Sequence, residues 1–375
     1  MIGPRRVRLK LLEKRLTYGL GMRREEQELY GLLDNPRGSS SFVSYRDFTR
    51  RIRPALNGAE SGVLLDNKWV FYQLARAFGI AIPDTWALFD SEFGITIEGL
   101  PCRRTADLLA LIDRVRPKGL VIKPAGGLQG KGLVILDDID YTLGIAILPN
   151  GETVDLEQRI KSLPPVRLTG VGGYVVQELV EQHSFFSDLN PHTPNTVRVV
   201  THLTQEGELL VPFAVVRLGR EGNVADNWAQ GGLSIGVDPE TGRMSRGLVR
   251  PKYGGEWFTA HPDTKVGFTG RLVPMWDQVL ALCSRAARML PGLRSVGWDV
   301  LISQDEPVIL EANDEWDLIM VQVHTDGWLS LPGMRDDLSK LGVKLPNRLP
   351  SWPTIVGGIV GRRLVSLGHG WRVRD

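Results

Sequence analysis

Cysteine is nearly absent: the 375-residue chain contains two, Cys102 and Cys283. Neither has the spacing of a metal site and together they make no disulfide framework, so a cross-linked secreted scaffold is excluded and a reducing cytosol is expected. Net charge is scarce too, at +2, which removes the global electrostatic case for nucleic acid or membrane as a partner. No apolar run approaches the ~20 residues that a membrane-spanning helix needs. The basic N-terminus lacks the apolar core of an export signal, so the expected location is the cytoplasm. The histidines, His183, His192, His202, His261, His324 and His369, form no metal-ligand spacing, and no Ser–His–Asp or Cys–His arrangement emerges.

What is present is ordinary for a globular chain, 42% hydrophobic and 23% charged, with a length for two or three packed units. Residues 5–33 read as a basic amphipathic helix or helix pair, opening Arg5-Arg6-Val7-Arg8-Leu9-Lys10. Its cations either dock on a partner or face solvent while the helix packs on the body. Asn35 to Ser41 is turn-rich. Val70, Phe71, Leu74, Ala77 and Phe78 recur at helical spacing, which predicts a helix at about 67–78, with Asp66 as N-cap and Gly79 as its stop. Beyond it the pattern turns strand-rich: Gly119–Lys123, Gly132–Leu136, Tyr174–Gln177, Thr196–Thr201 and Leu209–Val216. Residues 273–290 return to helical spacing, and Val296–Ile302 and Pro307–Ala312 are strands around a short turn. Strands and helices do not alternate strictly, so the fold class is α+β.

The chemistry-bearing residues interrupt these strands. In Val308-Ile309-Leu310-Glu311-Ala312-Asn313, alternation puts Val308, Leu310 and Ala312 on an apolar face and Glu311 and Asn313 on the other. A carboxylate and an amide oxygen side by side suit Mg²⁺, which prefers hard oxygen ligands. Asp299 joins them from the preceding strand if the intervening loop holds an odd number of residues; an even loop would set Asp299 opposite Leu310. In the stretch from Val121 to Gly132, the glycines Gly126, Gly127, Gly130 and Gly132 make either a loop whose amides approach phosphate oxygens or a flexible hairpin. Lys123 stands at its mouth and Lys131 within it; the pattern is not a Walker A loop. Arg198 interrupts a β-branched run and Arg217 closes another. They either face a cleft, where they would neutralise a triphosphate or a tetrahedral oxyanion, or lie ion-paired at the surface. Asn227 with Gln230-Gly231-Gly232 adds a polar turn.

Taken in this order, the elements resemble the ATP-grasp superfamily, and most nearly its sugar-transfer-associated branch, from about Leu64 to about Leu329. The resemblance implies an ATP-grasp fold, two α+β lobes clasping ATP, with an N-terminal helical extension. The implied divisions are an extension over 1–60, an N-lobe over 61–181, a C-lobe over 182–330 and a C-terminal segment over 331–375. Leu65-Asp66-Asn67-Lys68 looks like the family's entry to a helix, where Lys68 reaches ATP phosphates. Lys123 looks like the second phosphate lysine, beside the mobile loop Gly126–Gly132. Gln177, Glu178, Leu179, Val180 and Glu181 look like the hinge that clasps adenine. Asp299, Glu311 and Asn313 match the magnesium ligands, and Arg198, Arg217 and the Asn227 turn also resemble the ribosomal-protein glutamate ligases. Two positions depart from the family: Phe185 stands where many relatives carry an acidic ribose ligand, leaving Asp188 or Glu181 for that role, and Asp314-Glu315-Trp316-Asp317 replaces a Pro-Gly continuation. The implied activity is ADP-forming ligation of a small-molecule or peptide carboxylate to an amine through an acyl-phosphate. Arg198, Arg217 and Lys123 would be catalytic, and ATP with Mg²⁺ or Mn²⁺ would be the cofactors. A phosphotransferase, or a non-catalytic ATP-binding scaffold, would present the same nucleotide site.

Overall fold

The structure, a computed structural model, describes residues 4–126, 132–168, 171–220 and 226–356. They group into two compact units, one of residues 57–316 and one combining 1–56 with 317–375.

In the larger unit, the first strands are β1 (Thr85–Phe89), β2 (Ile95–Thr96), β3 (Leu120–Pro124) and β4 (Val134–Leu136). Three short strands, β5 (Asp138–Asp140), β6 (Ile145–Ile147) and β7 (Thr153–Asp155), pair only with one another, and β8 (Arg167–Leu168) pairs with β9 (Val171–Gly172). Strand β10 (Tyr174–Glu178) returns between β1 and β3, giving a five-stranded antiparallel sheet of order β2-β1-β10-β3-β4. The second sheet has seven strands: β11 (Thr196–Leu203), β12 (Leu209–Leu218), β13 (Leu233–Val237), β14 (Met244–Val249), β15 (Trp257–Phe258), β16 (Ser295–Ile302) and β17 (Pro307–Asn313). Their order is β15-β14-β13-β12-β11-β16-β17, again antiparallel throughout. Antiparallel sheets with segregated helices make this an α+β fold.

The core follows from the two side-chain periods. On the seven-stranded sheet, Val197, Val199, Ala214, Val216, Trp298 and Val300 alternate onto one buried face. The Trp276–Arg288 helix covers it with Trp276, Val279, Leu282, Cys283 and Ala286, spaced three and four apart. A second cluster packs Leu108, Leu111 and Ile112 of the Thr105–Val115 helix against Leu120, Ile122, Tyr174 and Val176 of the five-stranded sheet. Cys102 and Cys283 are buried free thiols. Burial pushes Cys102 up to about 12 and Cys283 further in the same direction, so both act as small apolar residues.

The helix expected near 67–78 runs Lys68–Ala77, and its N-cap is Asn67, not Asp66. Asp66 ends a separate helix, Ala59–Asp66, and Asn67 Oδ1 accepts from Val70 N at 3.2 Å. Gly79, at φ 63°, closes the C-terminus as expected, where a side chain would be strained.

The smaller unit holds the helices Pro4–Leu20 and Arg24–Leu29, so the basic N-terminal stretch is a pair. Leu16, Leu20, Met22 and Leu32 form one hydrophobic cluster in it, while Val7, Leu9 and Leu11 are exposed, so the first turns do not follow an amphipathic pattern. Gln322 ties this unit together: its Nε2 donates to Val43 O and its Oε1 accepts from Val43 N, both at 2.9 Å.

Candidate functional site

The sequence-nominated groups converge on the face of the seven-stranded sheet opposite its hydrophobic core, and strand register is the reason. Opposed residues share a face. Arg198 on β11 lies opposite Asp299 on β16, and Asp299 lies opposite Glu311 on β17. Arg217 on β12 lies opposite Thr196, two residues from Arg198 and therefore on the same face. Their neighbours Val197, Val216, Trp298 and Val300 turn into the core.

Asp299 and Glu311 meet for a reason other than the expected one. The loop between β16 and β17 holds residues 303–306, an even number, which alone would have set Asp299 opposite Leu310. A β-bulge shifts the register by one between Asp299 and Val300 and restores the pairing with Glu311. The same bulge breaks the alternation expected for β17. Ile309, not Leu310, joins the core with Ala312, and Leu310 and Glu311 are both only half-buried.

The charges form two adjoining groups. Arg198 grips Asp299 with two bonds, Nε–Oδ1 at 2.5 Å and Nη2–Oδ2 at 2.9 Å. Arg217 bridges Asp299 Oδ2 at 2.9 Å and Asp226 Oδ1 at 2.6 Å. Asp226 in turn accepts from the backbone and hydroxyl of Thr196. Burial pushes the Asp299 carboxyl up, but the Arg198 and Arg217 guanidiniums outweigh it and hold it at about 2. Burial also raises Asp226, against the pull of Arg217. Arg217 Nε is buried with no acceptor among the described residues. Gly297 makes room for this group, because a Cβ there would meet Trp316 Cβ at 2.7 Å and Arg198 Cδ at 3.2 Å.

The second group centres on β17. Lys68, the first residue of its helix, is pinned by its backbone N to Ala125 O at 2.9 Å, and its Nζ reaches Glu311 Oε1 at 2.9 Å. Lys123 extends from β3, and its ammonium lies 2.6 Å from Tyr72 Oη and 3.2 Å from Leu310 O. Burial lowers the Lys123 ammonium to about 8, against the pull of Glu311 and Asp299. Tyr72 itself donates to Leu310 O and is held well above the usual phenol range, by burial first and by Glu311 second.

Asp299, Glu311 and Asn313 share one face, and Asn313 Nδ2 is buried without an acceptor. An amide nitrogen so placed is better turned to present its oxygen inward, which is what a hard cation requires. These three side chains are the ones that would hold a divalent ion, in exchange for the contacts that tie Asp299 to Arg198 and Arg217 and Glu311 to Lys68. The described residues contain no group of three or more His, Cys, Asp and Glu that would do so without the amide.

The remaining nominated residues take other places. Gly126 is buried at the end of β3; Gly127, Gly130 and Lys131 lie outside the described residues. Gln177 is buried and donates to Thr85 Oγ1 at 2.8 Å. The amides of Glu178 and Leu179 bond to Asp84 O at 2.8 Å and Gly119 O at 3.2 Å, while Glu181 pairs with Lys118. Val180 follows β10 as half-buried chain. Asn227 caps a short 3₁₀ turn by accepting from Ala229 N at 2.9 Å. The histidines near the region are structural: His183 Nδ1 accepts from Phe185 N, and His261 Nε2 bonds Gly219 O at 2.8 Å. Sequence reasoning missed Tyr72 and Asp226. Tyr72 was findable, because it lies one helical turn after Lys68; a lone Asp in a loop carries no signal of its partner.

Among solved structures, the chain is similar to the VanG D-Ala:D-Ser ligase from Enterococcus faecalis, at 13% identity over 76% of this chain and 63% of that one, with a TM-score of 0.44. It is also similar to N5-carboxyaminoimidazole synthase from Aspergillus clavatus, at 10% identity over 74% and 54%, with a TM-score of 0.40. In the first such matches the chain spans only about half of the other protein's length, 46% and 47%. A search of curated proteins found no match. The family description "Sugar-transfer associated ATP-grasp" matches residues 47–331, most of the chain and all of both main sheets. The chain therefore belongs to the sugar-transfer-associated ATP-grasp family.

Proposed function

We propose that this protein is an ATP-dependent carboxylate–amine ligase that works through an acyl-phosphate and releases ADP and phosphate. The observation that carries the reading is the convergence of two lysines on β17, Lys68 at 2.9 Å from Glu311 and Lys123 at 3.2 Å from Leu310 O, with Asp299 opposite Glu311 in the ladder, in a chain of the ATP-grasp family.

Lys68 and Lys123 would hold the phosphate tail of ATP. A substrate carboxylate oxygen forms a bond to the γ-phosphorus as the β–γ bridging bond breaks, and ADP leaves. Catalysis of that transfer is mainly positioning and charge compensation. An amine then bonds to the acyl carbon, the tetrahedral oxyanion collapses, and phosphate leaves with the former carboxylate oxygen and takes up the proton that the amine loses. Arg198 and the acceptor-free Nε of Arg217 are the donors we assign to the charge that develops there. Asp299, Glu311 and Asn313 would hold Mg²⁺, which supplies charge neutralisation between phosphates when bound. Gln177, Glu178, Leu179, Val180 and Glu181 are proposed to line the adenine, and Asn227 to belong to the same ATP site. The substrates are a small-molecule or peptide acid and an amine.

The test is ADP release in a panel of acids and amines. Release that requires both, with hydroxamate formed when hydroxylamine replaces the amine, is the expected result; AMP and pyrophosphate as products would overturn the acyl-phosphate route. Glu311→Gln is expected to lower turnover by about 10²–10³, and equal turnover in variant and wild type would leave only a binding role.

A further inference from the structure

We propose that Tyr72 is a positioning residue: its hydroxyl ties the Lys123 ammonium to the bulged Leu310 carbonyl and so keeps that lysine apart from Glu311. The inference rests on the phosphate role proposed above for Lys123.

Tyr72 is fully buried, and a buried phenol needs a partner. Its acceptor, Leu310 O, belongs to the residue that the bulge takes out of register with β16. Lys123 converges on the same point, 2.6 Å from the phenol oxygen, 3.2 Å from the carbonyl and 5.0 Å from the ring centroid. Lys68 and Tyr72 are one helical turn apart and so share a face. Lys68 takes Glu311 and Tyr72 takes Leu310. Two adjacent residues of β17 can receive partners from one helix because the bulge leaves both half-buried on the side of the site.

The consequence is a sorting of two lysines. Lys123 feels the charges of Glu311 and Asp299. Without the hydroxyl, those carboxylates are the competing anchor for its ammonium, and a second lysine on Glu311 would occupy oxygen that the proposed cation needs. With the hydroxyl, Lys123 rests on neutral oxygens and is released to a phosphate without breaking an ion pair.

The experiment is titration calorimetry of the full chain with MgADP in a double-mutant cycle of Tyr72→Phe and Lys123→Met. Phenylalanine keeps the ring and its packing. Tyr72→Phe is expected to weaken binding about tenfold, as loss of a charge-assisted hydrogen bond does, and to add nothing in the Lys123→Met background. An equal loss in both backgrounds would mean a packing effect and would overturn the proposal, as would no loss in either. If Lys123→Met alone binds as wild type does, the phosphate role itself falls. Should Tyr72→Phe not fold, deletion of Leu310 asks the same question from the acceptor side. It removes the carbonyl and the bulge while the ladder still sets Asp299 opposite Glu311, and the same tenfold loss is expected.

Discussion

At the scale of single residues, the site is a set of mutually compensated charges. Asp299 carries two guanidiniums, Arg217 carries two carboxylates, and Glu311 carries Lys68. Removing one member strands the others in a buried setting, which is costlier than a missing surface ion pair. Asp299→Asn is therefore expected to cost about 3–5 kcal/mol at pH 7, measured by urea unfolding. The penalty should depend on pH with a definite sign. The native Asp299 carboxyl is held at about 2, below its unfolded value of about 3.9. Its stabilisation is then fully present above pH ~4 and is lost as pH falls through the native value. The gap between wild type and Asp299→Asn should narrow between pH 4 and pH 2, and a gap that stays constant over that range would contradict the account. The residue types here were legible in the sequence, because a charge in a β-branched strand has to be explained. Their partners were not. Arg198 and Asp299 are 101 positions apart, and Asp226 reaches Arg217 from a loop.

At the scale of elements, local capping and register carry the geometry. Asn67 caps the helix that presents Lys68 and Tyr72, and Asn67→Ala is expected to lower stability by about 1 kcal/mol, checked by the urea midpoint. The misplacement of this cap by one residue in the sequence reading has a physical source. Asp66 and Asn67 are both good caps, and choosing between them required knowing that Ala59–Asp66 is already helical. The β16–β17 hairpin teaches a related lesson. Alternation correctly put Glu311 and Asn313 on one face, but the rule that linked Asp299 to them assumed an unbroken ladder. The loop is even and the bulge cancels it. A bulge has no reliable local signature when no glycine marks it, so only the paired strand reveals that Leu310 is the extra residue.

For the whole molecule, the chain path decides which segments stabilise one another. The smaller unit joins the first 56 residues to those from 317 onward, and Gln322 links the two: Val43 N, Val43 O and Trp328 N all bond to it, each in a buried setting. Gln322→Leu leaves those three backbone groups without partners and is expected to cost about 3 kcal/mol or more, at 1–3 kcal/mol per buried unsatisfied group. Urea unfolding followed by tryptophan emission, with Trp328 nearby, is the measurement, and a loss under 1 kcal/mol would show that water replaces the amide.

The α+β class, the main strands, the helix that begins at Lys68 and the identity of the charged groups were all written in local pattern. Side-chain period, capping chemistry and the oddity of a buried charge each need only a short window of residues. Three-dimensional packing alone settled the Leu310 bulge, the grip of Tyr72 on Lys123 and the pairing of Asp226 with Arg217. Tyr72 and Lys123 are 51 positions apart, so no local window contains both; Arg217 and Asp226 are nine apart and the bulge lies within one hairpin, but pattern alone carries neither the path of a loop nor the register of a paired strand.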